Sequence, residues 1–513
     1  MIDIGARAIR LDISEITPDG GMRLLESVQQ AVSLGRNTFG AGSIDRESIE
    51  ECVAILKGFR QVMSEYGITD PAQIRAVATS SVREAANREA FLDRIYIATG
   101  INVDVLEDAE VEHLIHVAIH SLFETIPTLN SGEVLIVEVG GGATRLLLIQ
   151  DGYVTYSGTY KLGALRMQET LETSLTPYDR LCAVLDQHIQ KTINQMKDTV
   201  PTRTVPRLIA LAGDMETAMR RLLPGWEAND TVRLNMARST LAERIVSTPP
   251  EKLMQKHHLP PQEAETAGQA LLIYDRIARA FKVKEMLVSA QSMRRGLLMK
   301  MAGISVTHTR YAEQLAHSAS ALGRKYHFDE KHGVHVADLS LKLFRALRSE
   351  HGLGPHAEIL LRTAAILHDI GAFVSNNSHH KHSMYLILNS ELFGLTRKDN
   401  TMVALLARYH RRSVPRLTHP EYAALDRDSR VAVAKLAAIL RVADAMDRSH
   451  LQHIRDIECS REDRRFVVTV PDVEDVTLER LAIKEKGSLF ESIFGLQVIL
   501  RTAQNLKGSS YDG

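Results

Sequence analysis

The sequence predicts an α/β core built from two similar halves, followed by an all-helical domain and a small α+β tail. The stretches IDIGARAIRLDI, from Ile2, and GEVLIVEVGGGATRLLLIQDG, from Gly132, each indicate a strand, a glycine turn and a returning strand. Strand and helix signals alternate as far as Gly303, which is typical of an α/β domain. The pattern then becomes helical, and strand signals return near Ile457.

The individual segments support this order. IRAVATSSVREAAN, from Ile74, and VPRLIALAGDMETAMRRL, from Val205, each predict a buried strand that runs into a helix. In HVADLSLKLFRAL, apolar residues such as Val336, Leu339 and Leu343 recur at three- and four-residue steps, on one face of a helix. We therefore predict four segments: lobe I (1–124), lobe II (125–303), a helical domain (304–459) and a small α+β domain (460–513).

The composition excludes several classes of protein. The 513 residues carry a formal net charge of -1, which argues against a globally basic, DNA-binding protein. Cys52, Cys182 and Cys459 lie far apart and predict neither a disulfide framework nor a thiolate zinc site. No stretch approaches the ~18 apolar residues that a membrane span needs. We expect a cytoplasmic protein with no DNA or membrane partner.

The two glycine turns are the first candidate site. Without Cβ atoms, backbone N–H groups can converge on an anion, and phosphate is the usual ligand. Asp3 and Glu138 each lie one residue before the first glycine of their turn, where a carboxylate can hold a metal or orient water. A tight β-hairpin without a ligand is the alternative interpretation.

Ten stretches in order give a more specific indication. Those in the core are DIGARAIRL, AVATSSVREAAN, VDVLEDAEVEHLI, VEVGGGATRLLLI, LIALAGDMETA and LVSAQSMRRGLL. Those in the helical domain are LLRTAAILHDIGAF, HHKHSMYLILNS, ALLARYHRR and LRVADAMDRSH. Together they resemble the exopolyphosphatase/guanosine pentaphosphate phosphatase (Ppx/GppA) family almost from end to end.

The resemblance implies a two-lobed actin-like ATPase (ribonuclease H-like) core and an HD-like helical domain. It implies a hydrolase that releases the terminal phosphate of polyphosphate or guanosine pentaphosphate, with Mg²⁺ as cofactor and a homodimer as assembly. It also assigns roles. Glu110 matches the glutamate that activates water, Arg83 and Arg10 match phosphate-gripping arginines, and Asp3 and Glu138 match cleft metal positions. Gly140, Gly141, Gly142 and Thr144 match the second phosphate loop.

The first loop departs from the family pattern. Where relatives usually have Asp-x-Gly-Ser-Asn-Ser, this chain has Asp3 followed by Ile-Gly-Ala-Arg-Ala at 4–8. Two hydroxyls and an amide are lost, and Arg7 is gained. Because guanidinium groups bind phosphate oxygens well, we predict phosphate binding through Arg7.

The second loop changes in the same direction. Glu138, Ala143 and Arg145 stand where the family usually has Asp, Ser and Glu. Arg145 should favour an anion and weaken magnesium coordination, although Asp108, Glu112 and Asp214 could add negative charge nearby. Losing a placed donor can slow a reaction by ~10²–10³. We therefore expect reduced or absent turnover, with a solvated Arg145 as the alternative.

ILHDIG indicates a second site, in the helical domain. His332, His368, Asp369 and Asp444 follow the order of HD-type metal phosphohydrolases. Imidazole and carboxylate ligands suit a second divalent metal, Mn²⁺ or another, that generates hydroxide. His379, His380, His382 and His410 could hold a further metal or bind phosphate. Alternatively, the histidines stabilise helix packing or line a polyphosphate channel.

A group of basic residues lies near these histidines in the sequence. Lys381, Arg408, Arg411, Arg412 and Arg416 could guide a polyanion or form an ordinary solvated surface.

Three functions remain open for the whole chain. The first function is the family's phosphoanhydride hydrolase. The second is a non-catalytic sensor that binds the same ligands in a degenerate cleft. The third is an HD-class metal-dependent phosphohydrolase with a regulatory core.

Overall fold

The computed structural model describes residues 1–17, 21–172, 178–227, 230–236, 240–303, 308–390, 392–471 and 473–502. Within those ranges, the side chains of residues 170–172, 178–182, 214, 308 and 309 are not described, so the predicted contribution of Asp214 lies outside the described residues. The chain divides into two compact units, Met1–His308 and Thr309–Gly513.

The first unit begins with a five-stranded sheet. Its strands are β1 (Ile2–Ile4), β2 (Ala8–Ile16), β3 (Met22–Ala31), β4 (Ala76–Ala78) and β5 (Val103–Val105), in the spatial order β3-β2-β1-β4-β5. The accompanying helices are α1 (Leu34–Ala41), α2 (Arg46–Glu65), α3 (Ser80–Arg83), α4 (Arg88–Thr99) and α5 (Asp108–Thr125). Short 3₁₀ turns cover Pro71–Gln73 and Pro127–Asn130.

A six-stranded sheet forms the second lobe of this unit. Its strands are β6 (Glu133–Val139), β7 (Thr144–Gln150), β8 (Tyr153–Tyr160), β9 (Arg207–Leu211), β10 (Thr231–Asn235) and β11 (Glu285–Ser289), in the order β10-β11-β9-β6-β7-β8. Its helices are α6 (Ala164–Glu172), α7 (Tyr178–Thr199), α8 (Glu216–Leu222), α9 (Leu241–Val246), α10 (Pro250–His257), α11 (Pro261–Ala280) and α12 (Met293–Met301). A 3₁₀ turn covers Gly213–Met215.

The two sheets repeat one topology, as predicted. Each starts with an antiparallel meander, β1-β2-β3 or β6-β7-β8, and then adds two strands parallel to the first. The second sheet has one more strand, β10, which pairs with β11 in the antiparallel direction. The registers correspond as well, because Asp3 lies opposite Arg10 in one hairpin and Glu138 lies opposite Arg145 in the other. A carboxylate and a guanidinium therefore face each other across the first hairpin of each lobe.

The interior of β6, a central strand of the second sheet, is a continuous run of apolar residues because the strand is buried. All seven residues of β6 are buried, since the strand lies between two paired neighbours and its faces are covered. The only charged residues in β6 are Glu133 and Glu138, and both accept hydrogen bonds. A buried carboxylate is tolerated when it has such partners.

Helix α12 returns to pack against α5 of the first lobe. A Cβ on Gly296 would lie 1.9 Å from the carbonyl oxygen of Leu114, so the two backbones are in direct contact. This approach requires glycine and links α12, whose N-cap is Ser292, to the first lobe.

The second unit packs helices around one core that also includes a small sheet. The helices are α13 (His308–Lys325), α14 (Glu330–Ala346), α15 (Arg348–His351), α16 (Pro355–Leu367), α17 (His379–Leu388), α18 (Arg397–Tyr409), α19 (Pro420–Ala423), α20 (Arg427–Met446), α21 (Thr477–Lys486) and α22 (Ser488–Phe494). A 3₁₀ turn covers Ile370–Phe373, and β12 (Glu458–Glu462), β13 (Arg465–Val470) and β14 (Gln497–Thr502) form the sheet. Apolar residues of helices and strands share this core.

The predicted fold class is confirmed, whereas the division into four domains stays a prediction. The predicted boundary at 303 adjoins residues 304–307, which are not described, and the predicted tail includes residues 472 and 503–513, which are not described either. Among the described helices, none is long and apolar enough to cross a bilayer.

We expect Gly296→Ala to lower the free energy of unfolding by about 1–3 kcal/mol or more, because its methyl group meets the backbone of Leu114. Gly58→Ala is the matched control. Gly58 is exposed within α2 with no atom near its added Cβ, so this change should raise the free energy by about 0.5–1 kcal/mol. Denaturant unfolding of both variants measures the difference, and equal effects would contradict the close helix contact.

Candidate functional site

A cavity of about 50 Å³ lies between the two lobes of the first unit. Both glycine turns, the start of α3, the first turn of α5 and the N-terminus of α12 form its walls. Its volume suits a few water molecules or one phosphoryl group. The lining residues are Asp3, Gly5, Ala6, Thr79, Ser80, Val111, Glu138, Gly140, Gly141, Gly142, Ala143, Arg145, Gly213, Ser292, Met293 and Arg294.

Arg145 is the central cation of this cavity. Its guanidinium nitrogens lie 3.1 Å from Glu138 Oε2 and 3.3 Å from Asp108 Oδ1. Burial alone would lower the pKa of Arg145, but the carboxylates of Glu138, Asp108 and Glu112 outweigh it and raise that pKa. The alternative of a solvated arginine does not hold, because Arg145 is only 6% exposed.

Asp3 faces two further arginines. Its Oδ2 lies 3.8 Å from Arg10 Nη1 and 3.6 Å from Arg294 Nη1. Arg294 also reaches the carbonyl oxygen of Gly213 at 3.4 Å, and it lines the cavity directly. Arg294 lies within the quoted stretch LVSAQSMRRGLL, but the sequence did not single it out, because nothing local shows that the start of α12 lies opposite Asp3.

The glycine loop is held by close backbone packing. A Cβ on Gly142 would lie 2.3 Å from the Phe39 ring, and a Cβ on Gly163 would lie 2.3 Å from Gly141 O. The carbonyls of Gly140 and Gly141 accept bonds from the first amides of α6. Gly142 and Gly163 are therefore required by the close packing of the protein itself, whether or not a ligand binds the loop.

Arg166 fastens the same loop. Its Nε donates to Gly142 O at 2.8 Å, and its Nη2 lies 2.9 Å from both carboxylate oxygens of Glu84, in the other lobe. The guanidinium also stacks over the Phe39 ring at 4.2 Å. The sequence did not indicate this residue, because nothing in the residues around Arg166 shows that its side chain reaches the glycine loop.

Hydroxyl groups reach the cavity from segments other than the loops. Thr79, Ser80 and Ser292 line it, although the first glycine turn lacks the serines of the family pattern. Ser292 is the N-cap of α12, and the first two residues of that helix, Met293 and Arg294, line the same space. These donors compensate in part for the hydroxyls that the loop lost.

Several predicted residues contact protein groups beside the cavity and are not among the described residues that line it. Arg7 bonds Thr266 Oγ1 and, at 3.1 Å, Gln262 O. Arg83 bonds Leu106 O and Asp108 Oδ1, both at 2.6 Å. Thr144 Oγ1 donates to Leu162 O at 2.5 Å.

Glu110, the predicted base, lies in the first turn of α5 next to the lining residue Val111. Its Oε2 accepts from the amide of Glu107 at 3.0 Å and forms the capping box of that helix. Arg10 lines an adjoining chamber of about 460 Å³, which shares Gly213, Ser292 and Arg294 with the small cavity.

The second unit brings together all four residues of its predicted site. His332 Nε2 and His368 Nε2 each lie 3.8 Å from Asp444 Oδ1, and Asp369 Oδ2 lies 3.7 Å from His368 Nε2. Two of the neighbouring histidines complete the group, since His379 Nε2 and His410 Nε2 lie 3.1 and 3.3 Å from Asp369 Oδ1. We call these six residues the histidine–aspartate cluster.

Tight turns position this cluster. A Cβ on Gly371 would lie 2.2 Å from His379 O, so the turn after Asp369 packs directly on the start of α17. Burial alone would raise the pKa of the Asp444 carboxyl, but Lys486, whose Nζ donates to it, and the nearby histidines lower that pKa. Sequence spacing had left His379 and His410 among several candidates, because it cannot tell which helices meet.

Comparison with known proteins gives the same assignment as the motifs. A family profile described as "Ppx/GppA phosphatase family" matches residues 13–304, and one described as "Ppx/GppA phosphatase, domain III" matches 315–486. The guanosine-5'-triphosphate,3'-diphosphate pyrophosphatase of Pseudoalteromonas atlantica is 22% identical over 452 residues, 86% of each chain. Its counterpart in Vibrio cholerae is 22% identical over 478 residues, 91% of each chain.

A solved structure agrees on the fold. The exopolyphosphatase from Cytophaga hutchinsonii is 20% identical, with a TM-score of 0.50, and covers 60% of this chain and 97% of its own. At this identity the comparison supports the two-lobed fold alone.

We expect Arg145→Met to lower the free energy of unfolding by about 3–5 kcal/mol, because it removes the guanidinium that compensates the buried Glu138 carboxylate. The double variant Glu138→Gln/Arg145→Met should recover much of that loss. Denaturant unfolding measures both, and Arg23→Met, in an exposed pair with Glu15, should change little. A double variant as unstable as the single one would contradict the pairing.

Proposed function

Because the chain belongs to the Ppx/GppA phosphatase family, we propose that it removes the terminal phosphate of guanosine pentaphosphate or polyphosphate in the cavity between its lobes. The observation that carries this proposal is a phosphoryl-sized cavity in which the glycine loop, hydroxyl groups and guanidinium groups converge. The names of the relatives, which span most of this chain, support the substrate class.

Phosphate binding rests on the groups that line the cavity. Arg145 and Arg294 offer guanidinium nitrogens to the phosphate oxygens, and the glycine loop lets the ligand approach the backbone closely. Thr79, Ser80 and Ser292 supply hydroxyl donors. Phosphoryl transfer depends mostly on positioning and on neutralising charge, and these groups provide both.

Phosphatases of this family generally need a divalent metal, but the cavity residues do not fit the expected Mg²⁺. Among the described residues, the lining carboxylates are Asp3 and Glu138, and each faces guanidinium nitrogens within 3.1 to 3.8 Å. A divalent cation bound to either carboxylate would lie close to these guanidinium groups, which are positively charged as well. Arginine side chains therefore take over charge neutralisation here, which supports slow turnover.

For the chemical step, we assign the base to Glu110. In the proposed reaction the water oxygen bonds to the terminal phosphorus, the phosphoanhydride bond breaks, and Glu110 accepts the water proton. Glu110 must first exchange its bond to the Glu107 amide for the attacking water, a second reason for a low rate.

The wider proposal includes a second divalent metal in the helical unit, Mn²⁺ or another, held by the predicted His332, His368, Asp369 and Asp444. It also includes a homodimer and a cytoplasmic location, as the sequence predicts. Light scattering of the purified protein tests the assembly, because a mass of one chain would contradict a dimer.

We expect Glu110→Gln to lower kcat for phosphate release by about 10²–10⁴, with KM nearly unchanged, because glutamine keeps the capping box and removes the base. The measurement is phosphate release from guanosine pentaphosphate and from long-chain polyphosphate. Asp3→Asn is the comparison. Full activity in Glu110→Gln together with no activity in Asp3→Asn would show that Asp3, not Glu110, is the base. If the unchanged protein releases no phosphate, the result favours a sensor that binds these ligands without hydrolysing them.

We expect Arg294→Gln to raise KM for both substrates by about tenfold to a hundredfold, because a charge-assisted hydrogen bond contributes about 1.5–3 kcal/mol. Arg295→Gln is the matched control, since Arg295 lines only the adjoining chamber. An equal KM in both variants would contradict a phosphate contact by Arg294.

A further inference from the structure

Two segments of the helical unit that pack against each other contain no acidic residue. Residues 370–390 include α17, and residues 400–420 include most of α18 and the loop after it. Neither segment contains Asp or Glu, although 63 of the 513 residues in the chain are acidic, so the positive charge of this region is not balanced within it. Its cations, which we call the basic patch, are Lys381, Arg408, Arg411, Arg412 and Arg416.

In the part of the unit that the structure describes, no member of the basic patch forms an ion pair. Other exposed cations of the unit do: Arg345 lies 2.7 Å from Glu358, and Lys398 lies 2.7 Å from Asp426. The patch is therefore available to an external anion, despite the net charge of -1 on the whole chain. Its exposed members are Lys381, Arg412 and Arg416.

Three members of the basic patch surround one imidazole. Burial and the neighbouring His379 lower the pKa of His380 to about 4. Three cations contribute to the same shift, namely Arg411, Lys381 and Arg408. A charge acts on an imidazole in this way from nearby, so these cations converge although they belong to different segments of the chain.

Arg408 connects this group with the loop after α18. Its Nη1 lies 3.7 Å from Met384 Sδ in α17, and its Nε is buried and makes no hydrogen bond to the described residues. Burial is the main cause that lowers the pKa of His419, and the charges of Arg408 and Arg416 lower it further. The basic patch therefore continues from α17 to the loop that contains Arg416.

Two exposed aromatic rings lie beside the same helix. Tyr385 follows Lys381 by four residues on α17, so the two side chains share one face of the helix, and Tyr385 is 64% exposed. Phe373 is 55% exposed, at the end of the 3₁₀ turn that packs against α17, and its ring centre lies 5.6 Å from that of Tyr326. Exposed rings beside cations are typical of surfaces that bind the bases and phosphates of a single strand.

A polar turn separates Phe373 from Lys381. Residues 375–378 are Ser-Asn-Asn-Ser, and the side chains of Asn376 and Asn377 are exposed. Each side-chain amide offers two donors and an acceptor. Sugar hydroxyls both donate and accept hydrogen bonds, so they suit this turn.

The aromatic rings determine which polyanion fits. Guanidinium groups bind the phosphates of any polyanion, but inorganic polyphosphate has no flat group to cover Phe373 and Tyr385. A single-stranded nucleic acid supplies a base with every phosphate, and bases stack on aromatic rings whatever the sequence. A duplex keeps its bases stacked inside. The amides of the polar turn favour RNA over DNA, because only RNA has 2′-hydroxyl groups.

We propose that the basic patch, the polar turn and the rings of Phe373 and Tyr385 together form a binding surface for single-stranded RNA. The cations contact its phosphates, the rings stack on its bases, and the turn bonds its 2′-hydroxyl groups. This function is separate from phosphate release in the cleft, because it requires neither Glu110 nor a metal ion in the histidine–aspartate cluster.

Fluorescence anisotropy with a labelled RNA of about 12 unpaired uridines measures the binding. The full-length protein is used, with a chelator present so that no divalent ion contributes. In Lys381→Gln/Arg412→Gln/Arg416→Gln, where all three side chains are exposed, we expect Kd to rise at least tenfold. The slope of log K against log salt concentration should become shallower by about 2, at ~0.7 for each lost phosphate contact.

The matched control removes the same charge from another part of the unit. In Arg345→Gln/Lys398→Gln/Arg461→Gln, each changed cation is exposed and paired with a carboxylate. Both Kd and the salt slope should stay close to those of the unchanged protein. All six side chains are exposed, so both variants should keep the cooperative thermal transition. Arg412→Gln alone, with a slope change of about 0.7, replaces the triple variant if that protein does not fold.

The aromatic contribution separates RNA from polyphosphate. Tyr385→Ala should raise Kd for the RNA about tenfold, whereas Tyr385→Phe should keep it close to the original value, because phenylalanine stacks as well. The affinity for unlabelled polyphosphate, measured by competition, should be the same in both variants. Tyr96→Ala, which removes a 58% exposed ring from the first unit, is the control and should change nothing.

Four outcomes would overturn the proposal. No RNA binding at low salt would refute it outright, and an equal rise of Kd in the two triple variants would show that the basic patch is not the site. Tight binding of polyphosphate with an unchanged RNA Kd in Tyr385→Ala would make the patch a polyphosphate surface. A DNA strand of the same length and base that binds as tightly would exclude recognition of the 2′-hydroxyl groups.

Discussion

The buried pairing of Arg145 with Glu138 is the interaction on which the cleft depends. The two residues lie opposite each other in the β6–β7 hairpin, and the same guanidinium reaches Asp108 at the start of α5. Removing a charge from water is costly unless an opposite charge compensates it. This one guanidinium therefore connects the glycine loop of one lobe with a helix of the other. Asp3 and Arg10 form the corresponding pair in the first hairpin.

These paired charges determine what the cleft can bind. Carboxylates that face guanidinium groups are poor ligands for a divalent cation, while guanidinium groups at a cavity wall still attract phosphate oxygens. Both glycine turns of the Ppx/GppA pattern thus line one cavity, at which each lining carboxylate faces a guanidinium group. Hydroxyls from α3 and from the N-cap of α12 replace some of the donors absent from the first loop.

The helical unit instead gathers imidazoles around buried carboxylates. Each of the four rings of its cluster has an oxygen acceptor at Nδ1, which orients the ring. Asp369 faces His368 with one carboxylate oxygen and His379 and His410 with the other.

The sequence by itself determined the fold class and most residue types of the two sites. Hydrophobic periodicity is local, and a strand–glycine–strand repeat was visible at Asp3 and at Glu138 without any structure. The equal spacing from Asp3 to Arg10 and from Glu138 to Arg145 was also visible and could have indicated the paired hairpins. Only the tertiary structure decided which arginines reach the cavity, because that depends on strand register and on which helices meet. Arg7 bonds to α11, whereas Arg294 reaches Asp3 from about 290 residues away in the chain. The selection of His379 and His410 as neighbours of Asp369 has the same cause, since helix packing determines which of several nearby histidines share one carboxylate.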